Sequence, residues 1–140
     1  MSQSPSEAVV IDASALVALL VDAGPAGQWV SSTVTGMTLT APELALYEAS
    51  NILRRHQLAG MLDGTQASLA HQDLLALAMD LWPYRPLAER VWELRGNLTS
   101  YDGSYVALAE LLNAPLVTLD ARLANAPGPR CEILHVGVSR

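Results

Sequence analysis

Four acidic side chains stand where an ordinary core or surface position does not account for them: Asp12, Glu48, Asp102 and Asp120. Asp12 interrupts "AVVIDASALVALLV" (8–21), a run that is otherwise apolar except for Ser14. Asp120 closes "PLVTLD", and Asp102 shares a helical stripe with Val106 and Ala109. Glu48 falls mid-helix in "PELALYEASNILRR", in a row with Leu44 and Ile52 that should meet the core. A buried carboxylate without a partner costs several kcal/mol or shifts its pKa upward. Arg54 and Arg55 lie six and seven residues beyond Glu48, so neither is its partner at the i+3 or i+4 position.

Capping is the competing account. Asp is a favoured helix N-cap, which suits Asp12 and Asp120, and "TSYD" has the pattern of a capping box between Thr99 and Asp102. Glu43 sits in a first helical turn, where an acid complements the helix dipole. Glu48 has no such explanation. If all four acids share one cleft, mutual repulsion raises their pKa values unless a cation neutralises them. Hard divalent ions do this through oxygen ligands, and Mg²⁺ commonly uses a few carboxylates while keeping several waters. Ser14 and Thr118, each two residues from an acid, then either hold water bound to such an ion or make ordinary cap and turn hydrogen bonds.

Something must hold these acids in place. Strand-length apolar runs alternate with segments of helical period, the pattern of an α/β fold. The first strand is "AVVI" (8–11), followed by a helix through "ASALVALL" and a second helix opened by Gly24 and Pro25. A second strand covers 37–41, and Pro42 suits the first turn of a helix that Gly60 stops. Asp63 caps the next helix over roughly 64–80. "LWPY" is a third strand, with Pro83 pointing to a sheet edge. Helices over "PLAERVWELRG" and "SYDGSYVALAELLN" lead to strands at 115–119 and 131–136, with a short helix "ARLANA" between them. The predicted order, β-α-α-β-α-α-β-α-α-β-α-β, implies a mainly parallel sheet with helices on both faces. In such sheets ligands bind beyond the carboxyl ends of the strands, which is where Asp12 and Asp120 fall.

Composition narrows the function classes. At 140 residues the chain fits one domain, read here as 8–138 with a flexible N-terminal tail over 1–7. Cys131 is the single cysteine, so no internal disulfide or cysteine-rich metal site is available. No apolar run reaches membrane-spanning length, and "MSQSPSEAVV" lacks the basic start of a signal peptide, so the expectation is a cytoplasmic protein that does not span a membrane. The net charge of −6 argues against binding nucleic acid through a broad basic face, while leaving room for a local site of metal and a few arginines. All eight basic side chains are arginine and none is lysine, a bias that genome composition explains. His56, His71 and His135 lack metal-ligand spacing, and there is no dinucleotide or Walker-type glycine loop.

The segments "VVIDASALVALL", "APELALYEASNILRR", "RGNLTSYDGSYVALAELLNAPLVTLDARLA" and "ILHV" together resemble the PIN-domain ribonucleases. More narrowly, they resemble the VapC toxins of type II toxin–antitoxin systems. The third segment, with Arg95, Asn97, Thr99, Tyr101, Asp102, Tyr105 and Glu110, is the most specific part. The resemblance implies a central five-stranded, mainly parallel sheet and a Mg²⁺ site, with Mn²⁺ as a substitute, built from Asp12, Glu48, Asp102 and Asp120. Asp12, Asp102 and Asp120 would be metal ligands; Glu48 would bind metal directly, bind it through water, or orient the nucleophile. Some members carry a further acid two residues after the last, a position held here by Arg122. The implied reaction is hydrolysis of a structured RNA such as tRNA or rRNA, leaving a 5′-phosphate and a 3′-hydroxyl. The implied partners are a VapB-type antitoxin and a second copy in a homodimer.

Two other readings remain at this point. A receiver-type phosphoacceptor domain also places acids at strand ends around Mg²⁺, but ordinarily needs a lysine. A non-catalytic or RNA-processing PIN-like module outside a toxin–antitoxin system would keep the fold without the toxin role.

Overall fold

The structure, a computed structural model, describes residues 7–136. The tail expected over 1–7 lies, except for Glu7, outside the described residues, as do 137 and 138. Five parallel strands form one sheet in the order β3-β2-β1-β4-β5. They are β1 (Ala8–Ile11), β2 (Thr38–Pro42), β3 (Met79–Trp82), β4 (Leu116–Thr118) and β5 (Ile133–His135). Val9, Val10 and Ile11 are all fully buried, as expected of a central parallel strand covered on both faces.

Helices α1 (Ala13–Val21), α2 (Pro25–Val34), α3 (Leu44–Leu58) and α4 (Gly64–Ala76) pack on one another through α1. Helix α6 (Ser100–Leu112) instead packs on α5 (Ala88–Glu93) and on β1 and β2. The short α7 (Ala121–Ala124) joins β4 to β5. The sheet order rules out the receiver-type reading, because that architecture pairs its strands 2-1-3-4-5.

Most expected elements are present, with four local corrections. Helix α4, expected over roughly 64–80, ends at Ala76, because the chain turns into β3 at Met79. Pro42 is not in the first turn of α3: it ends β2 opposite Trp82, and α3 starts at Leu44. A proline is tolerated at a strand end, where its missing N–H breaks no ladder, and the Glu43 N–H donates to the Trp82 carbonyl instead. The third strand runs two residues earlier than expected, stopping just before Pro83, and it does lie at the sheet edge. The segment after it is a 3-10 turn (Arg85–Leu87) leading into a six-residue α5, not one continuous helix. Gly60 follows the end of α3 at φ +79°, the left-handed conformation that helix termination favours.

Candidate active site

The four acids reach one cleft from four separate elements. Asp12 follows β1 and Asp120 follows β4, strands that pair side by side at the centre of the sheet. Asp102 lies in the first turn of α6, and Glu48 lies one turn into α3. Together with Ala13, Ser14, Ile52, Arg55 and Tyr105 they line a cavity of about 180 Å³.

Capping and site-building turn out to be compatible. Asp12 caps α1, accepting from the Ala15 N–H at 3.0 Å, and Asp120 caps α7, accepting from the Arg122 N–H at 2.9 Å. Thr99 caps α6 by accepting the Asp102 N–H at 3.2 Å. That bond uses the backbone of Asp102 and leaves its carboxylate for the cleft. A cap fixes one oxygen of a carboxylate in direction, which is useful preparation for a second task.

Asp12 is 6% exposed, so burial pushes its pKa up. Hydrogen bonds from Ser14 Oγ (2.6 Å, to Oδ1), from Thr118 Oγ1 (to Oδ2) and from Ala15 N–H oppose that push, and the charge of Asp120 adds to it. Thr118 is itself fully buried and accepts the Asp120 N–H at 2.9 Å, while Ser14 Oγ accepts the Leu119 N–H at 3.1 Å. Ser14 and Thr118 therefore sit directly on Asp12, stitching the end of β1 to the end of β4. Replacing Thr118 by Val leaves the second Asp12 oxygen and the Asp120 N–H without their partner. Urea unfolding should then show a loss of about 2 kcal/mol, which Thr118→Ser restores. A Val variant as stable as the wild type would mean that the stitch carries no weight.

Glu48 does have a partner. Tyr105, 1% exposed, donates its hydroxyl to Glu48 Oε1 at 2.6 Å. Burial and the adjacent Glu48 carboxylate push the Tyr105 pKa upward, so the phenol stays protonated and remains a donor. Burial also raises the Glu48 pKa; the Tyr105 bond lowers it, and the charges of Asp102 and Asp12 raise it further. The Asp102 carboxyl is raised by burial and then by Asp120, with Arg122 pulling the other way. Asp12, Glu48 and Asp102 thus each feel at least one other acid. The Leu44–Glu48–Ile52 row is half-buried, Glu48 and Ile52 lining the cleft, whereas Ala45, Ala49 and Leu53 form the core face of α3.

Sequence reasoning did not single out Tyr105 or Arg55 as cleft residues. Both had a readable signal: Tyr105 lies three residues after Asp102, and Arg55 lies seven after Glu48, so each shares its helix face with an acid. Arg95, in contrast, turns away onto Trp92, its guanidinium 4.5 Å from the ring centroid.

The donor set is four carboxylates in one cleft, and for Asp12, Glu48 and Asp102 burial and neighbouring acids oppose ionisation, which suits a hard divalent cation. Among the described residues no three acidic, histidine or cysteine side chains close up enough to enclose an ion unaided.

The sequence matches the PIN domain family over residues 9–129. Ribonuclease VapC9 of Mycobacterium tuberculosis is 40% identical over 128 residues, covering 91% of this chain and 98% of the relative. A crystal structure of a protein from Pyrobaculum aerophilum superposes with a TM-score of 0.67 at 32% identity, covering 93% of this chain and 84% of the other. VapBC2 from Rickettsia felis, crystallised with a DNA fragment from its promoter, shares the fold at 12% identity. Its TM-score is 0.65, over 91% of this chain and 98% of that one.

Proposed function

This chain belongs to the PIN-domain family, among the VapC ribonucleases, and we propose that it is an endoribonuclease toxin that hydrolyses structured RNA at the four-carboxylate cleft with Mg²⁺ bound there. The observation that carries this reading is the convergence of Asp12, Glu48, Asp102 and Asp120, all ionisable and mutually repelling, in one cavity. Nucleases of this family are generally dependent on divalent metal. Mg²⁺ retains several waters and is commonly bound through only one or two carboxylates, and Mn²⁺ substitutes. Asp12, Asp102 and Asp120 would hold such an ion, and it would supply Lewis-acid activation of a phosphodiester oxygen and of a water.

The protein's own groups have distinct tasks. Asp12 is held by three donors, so its carboxylate is presented at a fixed angle. Asp102 and Asp120 complete the anionic wall, Asp120 anchored through its cap to α7. Tyr105 ties down Glu48 Oε1, and Glu48 lines the cleft, where a carboxylate of raised pKa could take a proton from a water.

A tRNA or rRNA substrate, a VapB-type antitoxin and a second copy of this chain are the partners of this reading. Support for the antitoxin comes from the VapBC2 neighbour. An RNA substrate of that kind places the activity in the cytoplasm, and among the described residues no single helix is long and apolar enough to cross a membrane. Purified protein should cut RNA in Mg²⁺ or Mn²⁺, leave 5′-phosphate ends, stop in EDTA and be silenced by the cognate antitoxin. Cleavage that continues undiminished in EDTA would remove the metal from the mechanism.

A further inference from the structure

An acidic protein that must seat a polyanion over four carboxylates needs local cations, and the arginines are distributed unevenly. Arg90 is committed to Glu110, Glu93 and the Gly128 carbonyl. Arg95 is stacked on Trp92 and donates to its carbonyl. Among the described residues only Arg55 lines the carboxylate cleft, and only Arg122 lines the cavity that adjoins it through Asp102. Arg55 stands on the Glu48 wall, about 10 Å further along α3 at 1.5 Å per residue. Arg122 stands beside Asp120, in the adjoining cavity that shares Asp102.

We propose that Arg55 and Arg122 grip RNA backbone phosphates on the two sides of the scissile bond, one at each end of the cleft. This rests on the nuclease reading above and extends it to the path of the strand. Arg122 is suited to the exchange. Its side chain is 94% exposed, and its contact with Asp120 is a single Nε–Oδ1 approach of 3.5 Å, the kind of surface pair that contributes little. A guanidinium there can turn to a phosphate and make a forked contact that a carboxylate shared with a metal no longer offers. The same cavity is lined by Asn97 and Thr99. The Thr99 hydroxyl oxygen accepts the Asp102 N–H, which leaves its own O–H to donate to the same phosphate. Phosphate contacts of this kind fix register without reading sequence.

The test measures binding of a fluorescein-labelled, mixed-sequence single-stranded RNA as a function of salt, using Asp102→Asn protein in Mg²⁺ so that the probe survives. Each lost phosphate contact should flatten the plot of log Kd against log salt by about 0.7. Arg55→Gln and Arg122→Gln should each do so, and the double variant should show the sum. Arg85→Gln, an exposed arginine that lines neither cavity, should leave the slope unchanged. With Asp102 intact, the same two variants should raise KM more than they lower kcat. Unchanged slopes while wild-type protein still cuts RNA overturn the grip alone, as does an equal change in Arg85→Gln. A wild-type protein that neither binds nor cuts overturns the grip and the nuclease reading together.

Discussion

Asp102→Asn should lower metal-dependent RNA cleavage by at least about 100-fold and leave the fold intact. The lower bound follows from metalloenzymes in which outer partners of a ligand, one bond further from the ion, already cost 10- to 100-fold. Asp102 is a cleaner target than Asp12 for a structural reason. Its carboxylate accepts no hydrogen bond among the described residues, and the Thr99 cap uses only its backbone N–H. Asp12, in contrast, holds Ser14, Thr118 and the Ala15 N–H, so its removal confounds catalysis with stability. Asp102→Asn also relieves repulsion from Asp120, so the thermal midpoint without metal should stay the same or rise. Equal cleavage by wild type and variant would exclude Asp102 from the reaction. A collapsed midpoint would make it a structural residue.

Without divalent ions the protein should lose stability as pH rises above the ordinary carboxylate range towards neutrality, and Mg²⁺ should reverse that loss. Asp12, Glu48 and Asp102 all have folded pKa values raised above their ordinary 3.8, 4.5 and 3.8. Groups of that kind contribute stability fully below the ordinary value and lose it as pH rises through the raised one. Glu110 pulls the other way, because Arg90 and the Arg130 N–H hold its pKa below the ordinary value despite burial. Its contribution is present at high pH and fades in acid. The informative quantity is therefore the difference between wild type and Glu48→Gln, whose Oε1 still accepts from Tyr105. The variant should show a shallower pH slope, equal or greater metal-free stability at pH 7, and weaker divalent binding.

At 100 times the dissociation constant, Mg²⁺ adds about 2.7 kcal/mol to the wild type, a shift on the order of 8 °C for a domain of this size. The gain should shrink as pH falls, because binding must then displace protons from these acids. A midpoint indifferent to Mg²⁺ and Mn²⁺ at pH 7 would mean that these acids do not form a cation site.

Much of the fold was legible because parallel sheets write a plain signal. Fully buried strands such as Val9–Ile11 read as continuous apolar runs, and the helices between them carry caps and stops at Asp63, Thr99 and Gly60. The errors arose where local signals compete. Pro42 is equally at home in a first helical turn and at a strand end, and only pairing with β3 decides between them. Glu48 was noticed because a mid-helix acid has no capping role, yet its partner Tyr105 lies 57 residues away on another helix. No helical spacing within α3 can reveal such a contact.

By itself, then, the sequence determined the local facts: which segments become strands and helices, and that acids fall at the carboxyl ends of two strands and on two helix faces. Those follow from side-chain periodicity and backbone chemistry within a few residues. Only the tertiary structure decided that β1 and β4 are neighbours, which brings Asp12 within reach of a hydroxyl 106 residues away and turns two separate helix caps into one site. It also decided how hard the acids are to ionise and which arginines stand beside them. Burial and charge–charge repulsion depend on distances through space, and the order of residues along the chain does not contain those distances.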